Sequence, residues 1–145
     1  MTLKYLGIEK TQSKLASDMG TTSANGTYVY KMVNGLNKYL GSGKYKYVLT
    51  SQIAFSTGLQ YSINKGKPVI CHVMTGKLPN YAGYNTGHYV VGTGYQWGME
   101  GTNSASDVDY NDPNNNSKYY GRWTTTWGKM NTAINNNAGY YIMAS

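Results

Sequence analysis

Residues 67–74 read KPVICHVM, an almost unbroken apolar run behind Pro68. Upstream of it apolar residues recur every three or four positions; downstream they alternate. A strand covered on both faces needs such a run, because neither set of alternating side chains meets water. The stretch marks a buried central strand, and the place where helices give way to sheet.

Towards the N-terminus, SQIAFSTGLQYSINKG (51–66) puts Ile53, Leu59 and Ile63 inward on a helix stopped by Gly66. KYKYVLT (44–50) alternates and predicts a strand. TYVYKMVNGLNKYLG (27–41) carries Val29, Met32, Val33, Leu36 and Leu40 at helical spacing and ends at Gly41. TQSKLASDMG (11–20) offers Thr11 as a polar N-cap and Gly20 as a stop. MTLKYLG (1–7) reads as the last turns of an amphipathic helix, with Gly7 at its C-cap. It has no N-cap and no entry loop, so either the domain starts bluntly or its true beginning is missing.

Towards the C-terminus, KLPNYAGYNTG (77–87) reads as a loop, and HYVVGTGYQW (88–97) and SDVDYNDP (106–113) as strands. A turn at 114–118, a short strand at 119–124, a helix on Trp127, Met130 and Ile134, and a last strand in GYYIMA (139–144) complete the chain. The expectation is one α+β domain over residues 1–145, with N-terminal helices packed on a C-terminal antiparallel sheet.

The net charge of +7 rests on 13 basic residues, of which Arg122 is the one arginine. Scattered lysines do not make the clustered, arginine-forked surface of a nucleic-acid site, so no nucleic-acid partner is expected. No run reaches the ~20 apolar residues of a membrane span. A single cysteine excludes an internal disulfide and a cysteine zinc site.

Two residues carry the chemistry. His88 opens its strand behind Gly87, which leaves room for a substrate to approach. Asp112 ends the next strand, held extended by Pro113. Antiparallel pairing around the intervening loop sets these two strand ends side by side. A carboxylate there can accept the imidazole N–H, fix its tautomer and stabilise the imidazolium. Read alone, His88 could equally cap a sheet end and Asp112 start an Asp-Pro turn.

Other constellations are weaker. DVDYN (107–111) spaces oxygen ligands as an EF-hand begins, yet Asp112 stands where glycine is needed and Lys118 where a bidentate glutamate belongs. No metal is expected. Cys71 lies mid-strand among apolar residues, whereas reactive thiolates sit near positive charge or a helix N-terminus. No GxSxG elbow is present.

Four stretches in order carry a resemblance: YLGIEKTQSKLASDMGTT (5–22), GTYVYKMVNGLNKYL (26–40), INKGKPVICHV (63–73), and GHYVVGTGY (87–95) with YNDP (110–113). Together they resemble the bacterial papain-like cysteine peptidases of the bacteriocin-processing type, family thirty-nine in the peptidase classification. The resemblance covers nearly the whole chain, and the last pair is its most specific part. It implies a papain-like α+β fold, a peptide or protein substrate and no cofactor. It matches His88 to the general base and Asp112 to the residue orienting it, with Gly87, Tyr89 and Trp97 towards the substrate. In such peptidases the nucleophilic cysteine opens the helix whose end MTLKYLG matches. The resemblance therefore implies that the nucleophile precedes residue 1 and that this chain alone is inactive.

Two alternatives stand beside this. A non-catalytic module binding cell-wall polymer or peptide would gather Tyr84, Tyr95, Trp97 and Trp123 on one exposed face. An unconventional nucleophile would pair Cys71 with His88, and requires an accessible thiol. Few cysteines, many Asn and Tyr and the family resemblance together point to a secreted or cell-surface bacterial protein.

Overall fold

The computed structural model describes residues 1–97 and 105–145, with Trp97, Ala105 and Ser106 described as backbone only. In chain order the elements are α1 (Thr2–Tyr5), α2 (Gln12–Asp18), α3 (Val29–Leu40), β1 (Tyr45–Leu49), α4 (Phe55–Asn64), β2 (Val69–Met74), β3 (Gly87–Trp97), β4 (Ala105–Asp112), β5 (Gly121–Thr126), α5 (Trp127–Asn135) and β6 (Tyr140–Ala144). Two 3-10 turns, Thr75–Lys77 and Pro79–Tyr81, interrupt the segment read as plain loop between β2 and β3.

The six strands form one antiparallel sheet in the order β1-β6-β2-β3-β4-β5. The α+β class and the antiparallel sheet agree with the sequence. The strand ahead of α4 and the helix between β5 and β6 also fall where the sequence places them.

The apolar run around Cys71 is central and covered twice. Val69, Cys71 and Val73 join Val90, Val108, Tyr110 and Tyr141 under Phe55 and Leu59 of α4 and Met130 and Ile134 of α5. Ile70 points the other way and meets Tyr45 and Ile142 under Leu3 of α1 and Val33 and Leu36 of α3. Helices thus close both faces over Val69–Cys71, which is why the first half of β2 needs no polar side.

Local signals hold where a cap fixes them. The Thr11 hydroxyl accepts the Lys14 N–H at the start of α2, and Thr126 accepts from Lys129 at the start of α5. Gly41, just past α3, has φ of 98°, a conformation costly for any side chain. Helix α4 starts at Phe55 rather than Ser51, leaving Ile53 ahead of it.

Candidate active site

Strands β3 and β4 pair with Val91 opposite Asn111. Asp112 therefore falls one step further on, diagonal to His88 and on the same face. The His88 Nε2–H donates to Asp112 Oδ1 at 2.8 Å. The carboxylate is fully buried, while the His88 side chain keeps 22% of its exposure. Among the described residues the other ring nitrogen, Nδ1, makes no hydrogen bond. One side of the imidazole is fixed and the other is available.

Asp112 serves two geometries at once. Its Oδ1 also accepts the Asn114 N–H at 2.9 Å, bending the chain around Pro113. The turn and the His88 partnership read as alternatives in the sequence share one oxygen. Oδ2 accepts from Asn80 Nδ2 at 2.9 Å. Burial alone pushes this carboxyl up, but the bonds from His88, Asn114 and Asn80 outweigh it and hold Asp112 below its ordinary range.

Asn80 is the residue that sequence reasoning missed. It sits in the 3-10 turn Pro79–Tyr81 and is 5% exposed. Its Nδ2 donates to Asp112 and to the Tyr119 carbonyl, and its Oδ1 accepts the Tyr110 hydroxyl at 2.7 Å. All its side-chain bonds reach outside its own turn, so no local pattern announces it. Tyr81, buried beside it, tilts its ring against His88 with centroids 6.1 Å apart. Tyr81 stacks in turn on Tyr119 at 4.4 Å.

The remaining expected residues fall as follows. A Cβ on Gly87 would meet nothing nearer than Asn137 Nδ2 at 3.7 Å, an ordinary contact, so this position has room for a small side chain. Tyr89 points to the opposite face, where it lines a groove of about 270 Å³ with Met1, Leu3, Met19, Val91 and Pro113. That groove runs from the start of α1 to the chain neighbours of His88 and Asp112. Trp97 ends β3, and its side chain lies outside the described residues.

Cys71 is fully buried, and burial pushes its thiol up to about 12. This corrects the Cys71–His88 alternative, because a thiol sealed from solvent and held protonated supplies no nucleophile. The four residues of the tyrosine and tryptophan face stand differently. Tyr95 and Trp123 pack against the core, Tyr84 is exposed, and Trp97 lies outside the described side chains. Among the described residues no group of three His, Cys, Asp or Glu side chains is placed to hold a metal ion.

A buried carboxylate orienting a histidine at the end of an antiparallel sheet, with helices on both faces, defines the class as a papain-like peptidase-type domain. The sequence profile of the Peptidase_C39 like family matches residues 1–142, and the chain belongs to that family. The crystal structure of the peptidase domain of Streptococcus ComA, a bifunctional ABC transporter in a quorum-sensing pathway, is similar with a TM-score of 0.60. It is 20% identical, and the match covers 99% of this chain and 83% of that one, a likeness of fold. No curated protein matches the chain.

Proposed function

We propose that this domain hydrolyses peptide bonds by thiol catalysis, with His88 as general base and Asp112 as its orienting carboxylate. The observation that carries the reading is the 2.8 Å bond from His88 Nε2 to a fully buried Asp112, with Nδ1 left over. In this mechanism Nδ1 takes the proton of a cysteine thiol, and the thiolate attacks the substrate carbonyl. The imidazolium, stabilised by Asp112, returns that proton to the departing amine, and water then releases the acyl group from sulfur. We assign Gly87 and Trp97 to the substrate side, and not Tyr89, whose ring lies on the face of β3 opposite His88 and stacks on His72.

We further propose that the nucleophile lies outside these 145 residues, on a segment leading into α1. Cys71, the one cysteine of the chain, is excluded by burial. The 145 residues alone are then inactive.

The test uses two proteins and quenched fluorescent peptides. The 145-residue chain is expected to release no product. A parent protein carrying residues ahead of Met1 is expected to hydrolyse peptide, to be stopped by iodoacetamide, and to lose at least about 10³-fold in kcat on His88→Ala. Thiol-dependent turnover by the short chain would refute the external nucleophile. An undiminished His88→Ala parent would refute the base.

A further inference from the structure

A second concavity, of about 400 Å³, opens on the sheet face opposite His88. Its floor is His72 of β2 and Tyr89 of β3, directly paired across the strands, with rings stacked 4.6 Å apart at 19°. One wall is Tyr28 and Tyr30 at the start of α3, stacked at 5.9 Å. The other is Tyr47 of β1 and Tyr140 of β6, set edge to face at 5.8 Å. Of the eight large apolar side chains exposed among the described residues, three (Tyr28, Tyr30 and Tyr47) converge here. Three exposed rings that line one concavity together make a contiguous apolar surface, which single scattered rings do not.

The polar groups narrow the ligand. The Tyr89 hydroxyl donates to the Thr27 carbonyl at 2.8 Å, which fixes the floor ring. The hydroxyls of Tyr28, Tyr30, Tyr47 and Tyr140 bond to no described residue. Each can both donate and accept. Among the described residues the lining carries no Asp, Glu, Lys or Arg. Burial holds His72 below its ordinary range, so its ring is neutral at pH 7.

A polyanion would find no cation in this lining and one beside it, Lys31, whose Nζ stands 5.6 Å from the Tyr28 ring centroid. An extended peptide adding to the sheet would find the β2 backbone already paired with β3 and β6. A pyranose presents what remains: flat C–H faces for the rings, and hydroxyls that donate and accept around its rim. We propose that this cleft binds a neutral oligosaccharide, laid across the His72–Tyr89 floor between the two tyrosine walls. The site is independent of His88 and Asp112, on the other face of β3.

The test is a titration of the ¹⁵N-labelled 145-residue chain with chitotetraose, cellotetraose and maltotetraose, and separately with a proline-rich peptide. At least one sugar is expected to shift the amide signals of residues 25–30, 47, 72 and 140, with millimolar or tighter affinity. Tyr30→Ala and Tyr47→Ala, at half-exposed positions, are expected to weaken binding about tenfold each. Tyr61→Ala, on the exposed side of α4, is the control and leaves binding unchanged. Spectra unaltered away from each substitution show that the variants are folded. Silence from all three sugars overturns the proposal, as do shifts mapping elsewhere or occupation of the cleft by the proline-rich peptide alone.

Discussion

His88 donates through Nε2, so its neutral ring carries the proton there and presents the Nδ1 lone pair outward. The ¹⁵N shifts of the His88 ring nitrogens read this directly, and a protonated Nδ1 in the neutral ring would contradict the arrangement. Asn80 holds the carboxylate that sets this tautomer. Asn80→Ala removes one donor from Asp112 and leaves the Tyr110 hydroxyl buried without its acceptor. The expected cost is about 1–3 kcal/mol, read as a lower urea midpoint with unchanged slope. A midpoint within experimental error of the parent would show that Asn80 is a bystander. His88 and Asp112 were legible in the sequence because alternation and antiparallel register decide which strand-end side chains meet. Asn80 was not, because its bond to Asp112 spans 32 positions and starts in a turn that reads as loop.

At the scale of elements, the contact of α4 with β6 is the most sharply fitted. Tyr141 donates its hydroxyl to the Ile53 carbonyl at 2.9 Å and takes Phe55 edge-on at 5.5 Å. Gly58 makes room for it, since a Cβ there would stand 2.2 Å from the Tyr141 hydroxyl oxygen. Gly58→Ala gains helix propensity but must displace a buried tyrosine. Overpacking of this kind costs about 1–3 kcal/mol, so thermal unfolding is expected to move down. An upward shift would mean that propensity outweighs the clash. The period of α4 was plain from Leu59 and Ile63, and so was the stop at Gly66. What the sequence did not disclose is that Gly58, mid-helix, records a partner more than eighty positions away.

For the molecule as a whole, the Asp112 network contributes to acid stability, beside Asp18, whose carboxyl is also held low by Lys38, Tyr39 and Lys14. The folded Asp112 carboxyl titrates below its ordinary range, so between the two values the unfolded chain binds the extra proton. The network's stabilisation is therefore present above about pH 4, and is lost as the pH falls through the folded value. Melting temperature is expected to drop from pH 5 to pH 2.5 in the parent, and less in Asp112→Asn. Equal slopes would remove the carboxylate from the account. The class and the central position of β2 were readable because one apolar run demands cover on both faces. The strand order was not, since alternation says which face a side chain takes but not which strand lies beside it.

That order has a consequence for synthesis. The strand that emerges last among those described, β6, fills the slot between β1 and β2 and is, among the described residues, the only strand beside β1. Translation therefore delivers β1 about ninety residues ahead of its partner, a delay on the order of 5–20 s at ordinary elongation rates. Through that interval the ribosome-bound chain carries an unpaired tyrosine-rich strand and an open edge on β2. Nascent chains stalled before residue 140 are the species in which chaperone capture or intermolecular strand pairing competes with folding.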